Sequence, residues 1–230
     1  MTHKYFFVTI FLLRALFVFA EPNEQAKTHY DKGVNFYDNN DFVSAIKELS
    51  EAITMYPEYA EAYIARGNSY DNKNETEKAL QDYITASALD ESFTIFAYGY
   101  ECIVLLESND EGIATLTESI KQGINTVLAY CIIGNGYLHK EDYGKAIGSY
   151  NEALKLNPNY SQAYFNRGTA YFFQNNIDAA IEDYEKASAL YPDFIMAYYA
   201  LEILYRIKGD TEKSEEMNNI YKSLNPDNHI

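Results

Sequence analysis

The 230-residue chain has no tryptophan, two cysteines, four histidines and five prolines, and its 18 basic side chains are outnumbered by 34 acidic ones. Each shortage removes a class of function. The histidines, His3, His29, His139 and His229, are scattered, and no Cys/His/Asp/Glu spacing has the pattern of a metal site. No glycine-rich loop is placed to cradle a phosphate. Acidic residues abound, yet none stands in a context that marks a paired general acid and base, so no catalytic residue, metal or cofactor is expected. The deficit of positive charge, a formal net −16, repels phosphate backbones and argues against nucleic acid as a partner.

Residues 1–20, MTHKYFFVTIFLLRALFVFA, differ in character from the rest of the chain. Lys4 precedes an apolar run, and Val18 and Ala20 are small enough for the cleavage positions before Glu21, the pattern of a secretory signal peptide. Arg14 inside a run that is short for a span argues against a lasting membrane anchor. Export to a periplasm, secretory lumen or the extracellular space is expected, with membrane contact only in transit. Cleavage near Ala20 removes Lys4 and Arg14 and shifts the formal charge from −16 to −18. In an oxidising compartment Cys102 and Cys131 could form a disulfide; two small, buried, free thiols are the alternative.

What is abundant is periodicity. Gly33, Gly67, Gly134 and Gly168 are separated by 34, 67 and 34 residues. The same beat runs through Ala45, Ala79, Ala146 and Ala180, through Ala52, Ala86, Ala153 and Ala187, and through Pro57, Pro158, Pro192 and Pro226. A fixed period of this length means stacked copies of one supersecondary unit. Each unit reads as two amphipathic helices. Tyr30, Gly33, Phe36 and Tyr37 share one face of the first, Asn39-Asn40-Asp41 breaks the pattern, and Phe42, Ala45, Leu49 and Ala52 mark the second before Pro57 stops it.

The order of bulky, small and aromatic residues resembles the tetratricopeptide repeat family. The fifth unit carries it most fully, as Tyr164, Gly168, Tyr171, Ala180, Tyr184, Ala187 and Pro192. The resemblance implies an all-α, right-handed superhelical solenoid of six helix-turn-helix repeats, at 26–59, 60–92, 93–126, 127–160, 161–194 and 195–228, after the signal at 1–20 and a short linker at 21–25. The third repeat is degenerate, with Gly99, Tyr100 and Glu101 all candidates for its close-packing position. The sixth is degenerate too, and its polar last helix suits a solvent-facing cap.

In this family the first helix of each repeat faces an inner groove that binds a protein or peptide segment. Carried over by position, the groove residues are Tyr30, Tyr37, Ile64 and Asn68 in the first two repeats. Further on they are Asn135, Leu138, Phe165, Phe172 and Phe173, with Tyr199 in the last. Phe165, Phe172, Phe173 and Tyr199 are expected to gather into one aromatic patch with Asn135 as a polar anchor beside it. Lys32/Glu48, Arg66/Asp82 and Arg167/Asp183, each sixteen residues apart, read as structural ion pairs inside a repeat. A structural subunit of an envelope assembly docking through its end repeats, and an accessory protein holding carbohydrate on its aromatic surface, stay open as alternatives.

Overall fold

The computed structural model describes residues 22–104 and 108–225. Residues 1–20, where the sequence has the pattern of a signal peptide, therefore lie outside the described residues. Among the described residues twelve α-helices pack as successive antiparallel pairs: α1 Glu24–Asp38 with α2 Phe42–Met55, α3 Ala60–Asn72 with α4 Thr76–Leu89, and α5 Thr94–Val104 with α6 Asn109–Lys121. The remaining pairs are α7 Thr126–His139 with α8 Tyr143–Leu156, α9 Ser161–Phe173 with α10 Ile177–Leu190, and α11 Ile195–Lys208 with α12 Thr211–Leu224. A 3₁₀ turn, Glu91–Phe93, precedes α5. No strand occurs among the described residues, and the pairs stack into a right-handed superhelix.

The turn between the two helices of a repeat is built the same way five times. One residue enters the left-handed region at Asn40, Asn74, Glu141, Asn175 and Gly209. The next N–H then reaches back five residues, from Asp41 to the Phe36 carbonyl and likewise Glu75 to Tyr70, Asp142 to Tyr137, Asn176 to Tyr171 and Asp210 to Tyr205. This satisfies carbonyls that a helix end leaves free. Four of these N–H donors also cap the next helix: the side chains of Asp41, Asp142, Asn176 and Asp210 accept from the backbone N–H of Ser44, Lys145, Ala179 and Lys213.

Within each pair the periodic glycine lets the second helix lay a side chain flat against the first. A Cβ on Gly67, Gly134 or Gly168 would come within 3.0 Å of the ring of Tyr83, Tyr150 or Tyr184. Each ring then extends its hydroxyl to the side chain just after the glycine, Asn68 at 3.1 Å, Asn135 at 2.8 Å and Thr169 at 3.1 Å. One residue removes the steric block and the next satisfies the buried phenol.

The degenerate third repeat obeys the same rule in a shifted register. Gly99, rather than Tyr100 or Glu101, takes the close-packing position, where an added Cβ would come within 2.7 Å of Leu116. Its partner lies seventeen residues on instead of sixteen. The return bond is longer by one as well, from the Ser108 N–H to the Cys102 carbonyl. In the last helix, α12, Ser214 is the one buried residue, so the C-terminal repeat presents a polar face.

The superhelix is wound tightly enough for its first repeat to touch its fifth. Asn40, buried in the first turn, donates to the Asn159 carbonyl at 3.0 Å and accepts from the Ser161 hydroxyl at 3.1 Å. Phe42 meets the edge of Tyr191 at 5.2 Å. Deeper in, Asn72 donates to the hydroxyls of Tyr37 and Tyr160 at 3.4 and 3.3 Å. Side chains from α1, α3 and the start of α9 thus fill part of the inner face.

Candidate functional site

The inner face carries an open trough and a smaller, narrower cavity. The trough comprises two neighbouring pockets that share Tyr37, Asp38 and Asn68. One, of about 310 Å³, lies between α1 and α3: Tyr30, Val34, Tyr37 and Asp38 recur at helical spacing along α1, and Glu61, Ile64, Ala65 and Asn68 do so along α3. Phe93 from the 3₁₀ turn completes it. The other, of about 670 Å³, is bounded by Asn125 to Leu128 at the start of α7 and by Leu156, Asn157 and Asn159 around the α8–α9 turn. Among the described residues no Lys or Arg lines either pocket, whereas Asp38 and Glu61 line the one between α1 and α3 and Asp38 the other.

That acidic lining is felt by its neighbours. Burial raises the Tyr30 hydroxyl pKa, and the charges of Glu61 and Asp31 raise it further. Tyr59, whose ring leans on Tyr30 at 4.9 Å, is pushed up to about 12 by burial, with Tyr30, Glu61 and Asp31 adding to the shift. Partial burial also raises the Asp38 carboxyl above its ordinary value.

The narrower cavity, about 140 Å³, is lined by Asp71, Asn135, Tyr160, Gln162 and Asn166 among others. Burial raises Asp71 to about 6, partly offset by the hydrogen bond from the Tyr100 hydroxyl. Among the described residues, no group of three or more His, Cys, Asp or Glu is arranged to hold a metal, and no helix is long and apolar enough to cross a membrane.

The groove residues read from the sequence meet different fates. Tyr30, Tyr37, Ile64 and Asn68 all line the trough, with Ile64 as its buried floor. Asn68 is bound internally: it exchanges two hydrogen bonds with Asn125, at 3.1 and 2.9 Å, and accepts from Tyr83. The Asn135 side-chain Oδ1 is engaged as well, accepting from the Tyr150 hydroxyl at 2.8 Å and from Asn166 Nδ2 at 3.0 Å. Leu138 packs against the main hydrophobic core.

The expected single aromatic patch is absent among the described residues. Phe165 turns into the packing between repeats, 5.2 Å from Tyr184 and 4.8 Å from Phe194. Phe173, next to Phe172 and 54% exposed, stacks on Tyr143 at 5.5 Å, while Tyr199 pairs with Tyr221 at 5.4 Å. Adjacent helix positions point about 100° apart: Phe172 packs against the core cluster of the last two repeats while Phe173 turns out onto Tyr143.

Two of the three ion pairs have one design. Arg66 donates from Nε and Nη2 to Asp82, both at 2.8 Å, and from Nη1 to Ser50 at 3.1 Å. Arg167 does the same with Asp183, at 2.8 and 2.7 Å, and with Asn151 at 2.6 Å. Each guanidinium lies over two tyrosine rings, Tyr63 and Tyr70 or Tyr164 and Tyr171. The arginine therefore joins the acid sixteen residues ahead to the preceding repeat sixteen residues behind, an inter-repeat link that spacing alone did not reveal. Lys32/Glu48 is not such a pair: Lys32 is exposed, and Glu48 bonds His29 at 2.8 Å. Cys102 and Cys131 are free and buried, so the disulfide is not formed.

An α-helical repeat scaffold with an acidic, partly apolar trough on its inner face is the class these features define. Family models described as tetratricopeptide repeats match residues 30–92 and 161–194, and one described as a TPR repeat matches 134–175. The chain thus carries tetratricopeptide repeats. Among solved structures it is similar to PilW, described as a widely conserved type IV pilus biogenesis factor, at 14% identity and TM-score 0.57, covering 90% of this chain and 96% of that one. It is similar to YrrB, described as a TPR protein with an unusual peptide-binding site, at 25% identity and TM-score 0.51, covering 78% and 93%. The APC/C hetero-tetramer Cut9–Hcn1 resembles it at 21% identity and TM-score 0.61, covering 96% of this chain and 44% of that one. No curated protein matches it in sequence.

Proposed function

We propose that this protein is an exported, non-catalytic scaffold that holds an extended segment of a partner protein in the trough between α1 and α3. One observation carries the reading. The trough's two pockets, of about 670 and 310 Å³, offer more room than the cavity of about 140 Å³ that Asn135 and Tyr160 help to line, and Phe165 packs between repeats. Similarity to YrrB, whose description names a peptide-binding site, supports a peptide segment as the occupant. The 1–20 pattern supports export, and the mature N-terminus on protein from the native host should lie near Glu21.

Affinity capture from an envelope extract tests the site. Val34→Arg and Leu156→Arg, at the half-buried and exposed rims of the trough, should each lose partners that the wild type retains. Ile84→Arg, on an exposed part of α4 outside both pockets, should keep them. Equal capture by all three folded variants would reject the trough. Docking through the C-terminal repeat is the second reading, favoured by Met196, Tyr199 and Ile207, all exposed on α11; Ile207→Glu would then be the variant that loses partners.

A further inference from the structure

Asp71 is a carboxylate with no cation of its own. It stands near the end of α3 and lines the narrower cavity, where its Oδ1 accepts from the Tyr100 hydroxyl. Among the described residues no Lys or Arg lines that cavity. The lysines nearest in sequence, Lys73 and Lys78, are both held by Glu75, at 2.9 and 2.5 Å. A charge surrounded by protein without a counter-charge is costly, and burial accordingly raises Asp71 to about 6. Its ionised form gains a partner only if a positive charge arrives from outside the chain.

The other walls indicate the shape of that charge. Val104, Leu128 and Ile132 are apolar, while Asn135, Gln162 and Asn166 are polar. Gln162 donates to the Asn166 side-chain oxygen at 3.1 Å, and Asn166 donates to Asn135 at 3.0 Å. The Gln162 side-chain oxygen accepts from no described residue and is left to a guest. The cavity's 140 Å³ holds about five groups of water size at ~30 Å³ each. That is the size of a lysine side chain, a four-carbon stem and its ammonium. A lone metal ion would leave most of the space unfilled, and the longer arginine side chain exceeds it. Leu128 also lines the wider trough pocket, so the cavity adjoins the place where a partner segment would lie.

We propose that this cavity is the seat of one alkylammonium group, that of a lysine side chain on the segment held in the trough. The ammonium meets Asp71, with the Gln162 oxygen as a second acceptor, and the carbon stem lies against Val104, Leu128 and Ile132. A charge-assisted hydrogen bond to Asp71 then offsets the cost of ionising it there. The lysine side chain as source rests on the reading of the trough as a peptide site; the ammonium chemistry of the cavity does not.

Titration of the purified protein with n-butylammonium and with its neutral isostere n-butanol, followed on the side-chain amide signals of Asn135, Gln162 and Asn166 by heteronuclear NMR, tests the cavity without any variant. Butylammonium should shift those signals saturably and bind about tenfold or more tighter than butanol. Its affinity should rise from pH 5 to pH 8 as Asp71 ionises. The titratable groups around Asp71, namely Tyr37, Tyr83, Tyr100, Cys131 and Tyr160, are all raised above their ordinary values and stay neutral over that range. Asp71→Asn, close in shape, should abolish both the preference for ammonium and its pH dependence. Equal binding of the two probes, or a preference that survives Asp71→Asn, overturns the proposal. The capped peptide Ser-Ala-Lys-Ala-Ser should bind about tenfold or more tighter than butylammonium and lose that gain when norleucine replaces Lys. If butylammonium binds and the peptide adds nothing, the cavity takes a free amine and its link to the trough is overturned. The trough reading fails separately, if Val34→Arg leaves capture of the host partner unchanged.

Discussion

Asp183→Ala offers the sharpest check on how the repeats are held together. Asp183 is 7% exposed at its side chain and takes two hydrogen bonds from Arg167, whose own side chain is 19% exposed. Removing the acid leaves a guanidinium largely cut off from water. Breaking a buried pair costs about 3–5 kcal/mol, and an exposed one about 0–1. Arg167 would keep Asn151 and the faces of Tyr164 and Tyr171, so the loss should fall at about 2–4 kcal/mol. For a chain of this size that corresponds to a fall in Tm of about 5–12 °C. The assay is thermal and urea unfolding of Asp183→Ala, Arg167→Met and the double variant, with Glu152→Ala as control, since Glu152 holds Lys155 in an exposed pair. The double variant should be less damaged than Asp183→Ala alone, because no cation is then stranded. If Asp183→Ala costs no more than Glu152→Ala, the inter-repeat link contributes nothing and the reasoning fails.

Three further outcomes are expected. Asp71, raised by burial to about 6 in the folded protein against an ordinary 3.8, stays protonated longer in the folded chain than in the unfolded one. Stability should therefore fall as pH rises from about 4 through 6, by at most about 3 kcal/mol and less to the extent that the cavity admits water. Asp71→Asn should remove that dependence, as urea unfolding at pH 4 and pH 8 would show. Glu141 sits at φ 58° where Asn occupies three of the other turns, so Glu141→Asn should stabilise by about 0.5–1 kcal/mol in the same unfolding assay. Gly134→Ala, which drives a Cβ into the ring of Tyr150, should cost about 1–3 kcal/mol; Gly148→Ala, with nothing within 4 Å in α8, should instead stabilise by about 0.5–1.

The repeat plan was legible because it is written in sterics. Gly67 before Tyr83 and Gly168 before Tyr184 recur at one spacing, and only a residue without a Cβ lets those rings lie flat. Arg66/Asp82 was legible for the same reason, since a contact inside one repeat keeps a fixed separation. Lys32/Glu48 shared the spacing but not the reach, because His29 on the same helix already holds Glu48. The inner face was harder to read. Which of its positions stay open depends on how tightly the superhelix winds, and that is decided by contacts such as Asn40 with Asn159 and Ser161, over a hundred residues apart. No local pattern encodes that distance. Hence Tyr30 and Ile64 line the trough as their repeat positions imply, whereas Asn135 and Phe165 lie where winding and inter-repeat packing engage them.

The central claim is that a partner segment lies in the trough between α1 and α3. A photocrosslinking benzoylphenylalanine placed at Val34, with one at Ile84 as control, tests this in the native host. A trough that holds the segment predicts a defined protein adduct at position 34, with the cross-linked peptide identified by mass spectrometry, and none at 84. Adducts at 84 with none at 34, in protein that remains folded, would contradict it.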